Sequence, residues 1–270
     1  MTPTPIEDAS DPRIEPYRAL RERDLATRAE GRPGAFVAEG EVVLRILLSP
    51  RSRFRTLSCL IARNRLSSLA DLLPAAGTAP VYVAAPEVLE AIAGFPVHRG
   101  ILALGARRPE DDLEVLLPDG ASRVLVLIGL SNHDNVGAAF RNAAAFGADA
   151  VLLDAGSCDP LYRKAIRVSV GAALTVPFRR GGSPEVILDA LLRAGYSPLA
   201  LSPAGREDLA AVAFADRTAI LVGAEGAGLP RSLLGRMRSV RIEMAPGFDS
   251  LNVATAAGIA LHAARRASVI

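Results

Sequence analysis

An unbroken apolar run, Val124-Leu-Val-Leu-Ile128, stands directly after Arg123 in the second half of the chain. A run this short, without polar alternation, suits a strand covered on both faces. Runs of strand length recur at 150–153, 174–177, 198–201, 219–222 and 240–244. Between them lie stretches patterned as helices, at 136–146, 162–170, 184–194, 230–237 and 251–266. Short strands alternating with helices predict a parallel sheet with helices on both faces.

The first half repeats the alternation on a smaller scale. Strands are expected at 35–39, 54–61, 81–83 and 101–104, and helices at 13–29, 40–48, 66–73 and 87–92. Residues 107–120 are rich in proline and acid and end in the turn Pro118-Asp-Gly120, which marks a joint. The expected organisation is a flexible tail at 1–11, a small α/β domain at 12–108, a linker at 109–120 and a larger α/β domain at 121–270.

Charge narrows the partners. The net charge is only +2. Yet no acid occurs between Val42 and Ala70, a stretch that holds Arg45, Arg51, Arg53, Arg55, Arg63 and Arg65. A second basic cluster comprises Arg163, Lys164, Arg167, Arg179 and Arg180. Basic stripes on a nearly neutral chain suit a polyanion such as RNA, although acids elsewhere in the fold could balance them. Cys59 and Cys158 are isolated, and His98, His133 and His262 form no metal spacing with them, so neither a disulfide framework nor a metal site is expected. No apolar run reaches membrane-spanning length, and no leader pattern is present. The chain reads as a soluble cytoplasmic protein.

Polar and glycine-rich residues of the second half collect after strand ends, where open α/β sheets bind ligands. After the first strand comes Asn135-Val-Gly137 followed by Arg141 and Asn142. After the fifth comes Gly223-Ala-Glu225-Gly226-Ala-Gly228. After the sixth comes Met244-Ala-Pro-Gly-Phe-Asp-Ser250-Leu-Asn252-Val253. The first turn lacks the glycines of a dinucleotide fingerprint, and no P-loop is present. Asp249 or Ser250 sits where the cap of the last helix belongs.

These three segments, with Arg163-Lys164-Ala-Ile-Arg167-Val-Ser169-Val-Gly171-Ala172, resemble the motifs of the TrmH/SpoU branch of the SPOUT RNA methyltransferases. The likeness covers about residues 121–267. Phe36-Val-Ala-Glu39-Gly40 and Val97-His-Arg-Gly100-Ile101 are similar, more weakly, to the ribosomal-protein-like RNA-binding domain that often precedes that catalytic domain. The resemblance implies a deep trefoil knot in the second half, a homodimer, and methyl transfer from S-adenosylmethionine, usually to a ribose 2′-hydroxyl of rRNA or tRNA. Cofactor contacts would fall on Gly223, Ala224, Gly226, Ile242, Met244 and Leu251.

Catalytic roles would fall on Arg141, Asn135, Glu225, Ser250 and Asn252. Arginine stays protonated, which suits Arg141 to clamping a phosphate and stabilising a developing alkoxide better than to removing a proton. Glu225 is the one acid of its glycine loop; it could pair with Arg141, accept a proton, or only brace the loop. Asn135 could orient Arg141, bind the ribose, or cap a helix that starts at Val136. Ser250 and Asn252 could contact the target nucleotide or cap the last helix. RNA phosphates would meet Arg51, Arg53, Arg55, Arg63, Arg65, Arg163 and Lys164. Two other readings stay open: a non-catalytic RNA-binding or ribosome-assembly protein that keeps the knot, and a base-directed RNA methyltransferase.

Overall fold

A computed structural model describes residues 2–18, 34–94 and 99–267. The chain divides into two compact units, one of Met1–Pro109 with Leu161–Thr175, the other of Glu110–Pro160 with Val176–Ile270. The return of residues Leu161–Thr175 to the first unit is not visible in the order of the sequence.

The first unit contains a five-stranded sheet in the order β1-β4-β3-β5-β2. Its strands are β1 (Thr4–Ile6), β2 (Ala35–Glu39), β3 (Thr56–Ala62), β4 (Val81–Ala84) and β5 (Ile101–Ala106). β1, β4 and β3 run parallel, while β5 pairs antiparallel with both β3 and β2. Helices α1 (Glu41–Leu47) and α2 (Pro86–Ala93) follow β2 and β4. Ile6, Ile14, Tyr17, Leu60, Leu89 and Leu102 form the centre of its core. The Tyr17 hydroxyl, buried there, meets Ser58 Oγ at 2.7 Å, which satisfies both groups.

Three expectations fail in this unit. The first residues do not form a free tail: Thr4–Ile6 adds to the edge of the sheet and buries Ile6 completely. The amphipathic stretch at 13–29 begins as a 3-10 turn, Pro12–Tyr17, started by the Asp11 side chain on the Arg13 N–H, and the backbone is extended by Arg18. Its remainder from residue 19, like Val97 and His98, lies outside the described residues. The expected helix at 66–73 is a series of short 3-10 turns, because Ser67, Ser68 and Pro74 interrupt the hydrogen-bond ladder an α-helix needs.

The second unit holds a seven-stranded parallel sheet in the order β10-β12-β9-β11-β6-β7-β8. The strands are β6 (Ser122–Leu127), β7 (Ala150–Leu153), β8 (Phe178–Arg180), β9 (Ser197–Leu201), β10 (Glu207–Asp208), β11 (Arg217–Val222) and β12 (Arg238–Arg241). Val124, Leu125, Val126 and Leu127 are all fully buried, as the apolar run requires. Helices here are α3 (Leu113–Leu116), α4 (His133–Phe146), α6 (Pro184–Arg193), α7 (Arg231–Leu234) and α8 (Val253–Ala267), while α5 (Arg163–Val168) belongs to the first unit. The strand expected at 174–177 is not one. Ala172–Leu174 makes a 3-10 turn in the first unit, and the chain joins the second sheet only at Phe178.

The strand order places the three polar loops. From β6 the chain steps outward through β7 and β8, then crosses to β9 on the other side and returns with β11 beside β6. The order therefore reverses between β6 and β11, the point where open α/β sheets form a crevice at the carboxyl ends of their strands.

Candidate active site

The loop after β6 is braced from below. Asp154, 6% exposed, accepts from the Gly129 N–H at 2.9 Å and from the Ser157 hydroxyl at 2.6 Å, and Ser157 Oγ accepts from the Leu130 N–H at 3.0 Å. This fixes where α4 begins. That helix starts three residues earlier than the apolar pattern indicates, because Asn132 caps it by accepting from the Asp134 N–H at 2.8 Å. Asn135 is thus not the cap. It lies within the first turn, 7% exposed, with its side-chain amide available for other partners.

Those partners come from the other two loops. Asn252 Oδ1 accepts from the N–H groups of Ala254 and Thr255 at 3.0 and 3.2 Å, so Asn252, and not Asp249 or Ser250, caps α8. Because Oδ1 faces the helix, Asn252 Nδ2 faces outward and donates to Asn135 Oδ1 at 2.8 Å. Asn135 Nδ2 in turn donates to Glu225 Oε1 at 2.9 Å, and Asn252 Nδ2 also approaches that oxygen at 3.4 Å. The network has one polarity, running from the helix amides through two carboxamides to the carboxylate. Glu225 Oε1 accepts from both asparagines. Lower down, Asn142 Nδ2 donates to the Ala254 carbonyl at 2.7 Å, and a Cβ on Gly258 would lie 2.9 Å from that amide. Small residues on α8 therefore allow α4 to approach closely.

The glycine loop forms the adjoining wall. Gly226 and Gly228 have φ of +79° and +67°, values that L side chains rarely adopt, and Gly228 N donates back to the Ala224 carbonyl at 2.8 Å. A Cβ on Gly223 would collide with the backbone of Gly228 and Leu229. The loop folds back on its own strand end only because residue 223 has no side chain. Beside it is a cavity of 390 Å³, in the size range of small-molecule sites. Its lining includes all six residues expected to contact a cofactor: Gly223, Ala224, Gly226, Ile242, Met244 and Leu251. Ile242 and Met244 reach it because β12 ends at Arg241, earlier than the alternating pattern suggests. Leu201, Ser202 and Pro203, at the end of β9, complete the wall and were not singled out from sequence.

Of the five residues expected to be catalytic, three are brought together: Asn135, Glu225 and Asn252. Ser250 lines the cavity, and its one hydrogen bond among the described residues is to Asp249, at 3.3 Å. Arg141 is exposed on α4; of the alternatives for Glu225, pairing with Arg141 is not formed, and Glu225 accepts from Asn135 and Asn252 instead. Burial pushes the Cys158 thiol up to about 11, which removes it as a nucleophile at neutral pH. Among the described residues no group of three His, Cys, Asp or Glu side chains could hold a metal ion, and no helix is long and apolar enough to cross a membrane.

The expected RNA-binding arginines divide in a similar way. Arg63 pairs with Glu7 at 2.9 Å and Arg65 with Glu41 at 3.0 Å, while Arg45 pairs with both Glu41 and Asp71. The acid-free stretch thus draws acids from its neighbours in the fold. Arg51, Arg55 and Lys164 are exposed, and Arg53 and Arg163 are half-buried.

A doubly covered parallel sheet, with its polar loops meeting at the reversal of strand order beside a small-molecule cavity, defines an α/β protein with a ligand cleft. Residues 122–262 match the SpoU rRNA Methylase family, and the chain belongs to that family. It is 40% identical over 262 residues to an uncharacterized tRNA/rRNA methyltransferase of Mycobacterium tuberculosis, covering 94% of this chain and 89% of the relative. It is 33% identical to the 23S rRNA (guanosine-2′-O-)-methyltransferase RlmB of Ralstonia nicotianae, covering 77% of this chain and 87% of that one. In fold it resembles the SpoU methyltransferase AviRb of Streptomyces viridochromogenes, solved in complex with AdoMet, with a TM-score of 0.81 at 26% identity over 96% of this chain and 99% of AviRb.

Proposed function

We propose that this protein is an S-adenosylmethionine-dependent RNA methyltransferase that acts on a ribose 2′-hydroxyl of rRNA or tRNA. The single observation that carries the proposal is the meeting of Asn135, Glu225 and Asn252 beside the 390 Å³ cavity, all supplied by loops at strand ends. A structural network alone would have no need of a cavity at its edge. The relatives' names carry the choice of ribose over base.

The cavity suits the cofactor. Backbone of the glycine loop borders it, with Ile242, Met244 and Leu251 as apolar walls for an adenine and a methionine chain. Bound there, S-adenosylmethionine supplies an electrophilic methyl group on a sulfonium. The protein's own contribution is to present the hydroxyl in line, stabilise the developing oxyanion and exclude water, which together lower the barrier by several kcal/mol. Glu225, fixed at Oε1 by the two asparagines, directs Oε2 as a proton acceptor or ribose contact. Ser250 and Asn252 order the loop over the cavity. Arg141, exposed in a single chain, clamps the phosphate of the target nucleotide in a homodimer that completes each site.

Phe248, Leu251 and Ile259 are 76%, 41% and 40% exposed, a cost in water that a dimer face along the last loop and α8 relieves. The trefoil knot belongs to the same proposal, with α8 as the element that closes it against α4. The first unit, carrying the exposed arginines, holds the RNA, and the enzyme works in the cytoplasm where that RNA is. Mapping 2′-O-methyl sites in total RNA from cells with and without the protein tests the proposal. A site lost in its absence names the substrate, and an unchanged map counts against the reading.

A further inference from the structure

Glu39 is the last residue of β2 and is only 7% exposed. Its Oε2 is buried and accepts no hydrogen bond of good geometry. A carboxylate out of water is costly unless opposite charge offsets it. The offset comes from a segment more than a hundred residues away in sequence: Arg163 Nη1 lies 3.5 Å from Oε2 and Arg167 Nη1 lies 3.9 Å from it. The two arginines are one helical turn apart on α5, so their guanidiniums reach the same carboxylate from one face.

Both remain open to solvent, with side chains 30% and 49% exposed. One buried negative charge thus holds two guanidiniums at a surface. The segment that carries the pair is also strained. Val170, which follows α5 and is 38% exposed, has φ of +54°, a conformation that branched side chains avoid. Strain held at an exposed position beside a costly buried charge is a mark of a functional surface. Packing alone would favour an apolar residue at position 39 and a glycine or asparagine at 170.

We infer that Glu39, Arg163 and Arg167 form a phosphodiester-binding site in which Glu39 is the positioning residue, holding two guanidiniums ready for one RNA backbone phosphate. The inference rests on the RNA-methyltransferase reading for the identity of the polyanion. Two guanidiniums on one anchor suit a phosphate, whose oxygens take parallel N–H donors. Arg163 and Arg167 were both read in a basic cluster suited to a polyanion; Glu39 was not, and its place beside them follows only from the return of residues Leu161–Thr175 to the first unit.

The test turns on a sign. Glu39→Gln adds one positive charge to the surface, so simple attraction predicts tighter RNA binding. Loss of positioning predicts weaker binding despite the added charge. With an end-labelled fluorescent RNA hairpin, anisotropy should show about a tenfold weaker Kd for Glu39→Gln, with the S-adenosylmethionine Kd unchanged. In an Arg163→Gln/Arg167→Gln background, Glu39→Gln should add nothing, because the two changes remove one interaction. Arg167→Gln, at a half-exposed side chain, leaves the fold intact and should weaken binding and lower the salt slope by about 1. Equal or tighter binding by Glu39→Gln, or unchanged binding by Arg167→Gln, overturns the inference. If the wild type binds the hairpin but transfers no methyl group to any RNA, the functional reading falls and this one stands. If the wild type methylates RNA and Glu39→Gln binds as well as it does, this inference falls alone.

Discussion

Asn252 does two jobs that can be separated by a one-atom change. Its Oδ1 caps α8, and its Nδ2 ties Asn135 and Glu225 together. Asn252→Ala removes both. Loss of a side-chain cap costs about 1 kcal/mol, and loss of the 2.8 Å bond to Asn135 about another 1 kcal/mol. For a unit of this size, ~2 kcal/mol lowers Tm by roughly 4–8 °C. Asn252→Asp keeps an acceptor at the helix N-terminus, where negative charge is favourable, but loses the donor and sets a second carboxylate beside Glu225. Because this face is partly exposed, the repulsion is screened to under about 1 kcal/mol. The aspartate variant still loses the bond to Asn135 and gains some repulsion, but keeps the cap, so it should lose somewhat less Tm than the alanine variant. In methyl transfer the difference vanishes: both variants should lose about tenfold or more in kcat/KM, since both lose the Asn252 donor that orients Asn135 and Glu225. Calorimetry with a tritiated-methyl transfer assay checks the pair. Full transfer by Asn252→Asp, or an unchanged Tm for Asn252→Ala, would refute the reasoning.

Gly223→Ala should abolish S-adenosylmethionine binding by calorimetry, since its Cβ meets loop backbone that cannot yield; Gly226→Ala, which points into open space, should cost only about 1 kcal/mol for its positive φ. Ile259→Arg with Phe248→Glu should convert a dimer to monomers in light scattering and remove methyl transfer while each chain stays folded. Burial pushes the Cys59 thiol up to about 12 from an ordinary 9.0. The folded state holds that proton more tightly than the unfolded chain, so its contribution is full below pH 9.0 and is lost as pH rises towards about 12. The fall in urea midpoint between neutral pH and about pH 10.5 should be smaller in Cys59→Ala than in the wild type.

What was legible in the sequence was whatever repeats along it. Strands buried on both faces announce themselves as continuous apolar runs, and Val124 to Leu127 are buried as such a run demands. The three loops were found because strand ends in such sheets are where polar residues gather. What stayed hidden depends on contacts distant in sequence. Asn135 could have capped the helix, bound the ribose or oriented Arg141, until Asp154 and Ser157 fixed the turn that makes Asn132 the cap. For Glu225 the sequence left pairing with Arg141, proton transfer and bracing of the loop all open, whereas carboxamide geometry joins it to two asparagines. Thr4–Ile6 has the composition of a loose end, and only the open edge of β4 makes it a strand. The stretch from Leu161 to Thr175 is the clearest case: its basic residues were visible, but nothing in their order says that they fold back onto β2.

The central claim is that the loops after β6, β11 and β12 form a site for methyl transfer to ribose. The most direct measurement digests RNA methylated by the purified protein from labelled S-adenosylmethionine and identifies the labelled nucleoside. The expected product is a 2′-O-methylnucleoside, formed by the wild type and strongly reduced by Asn135→Ala and Glu225→Gln. Label on a base, or the same yield from both variants, would contradict it.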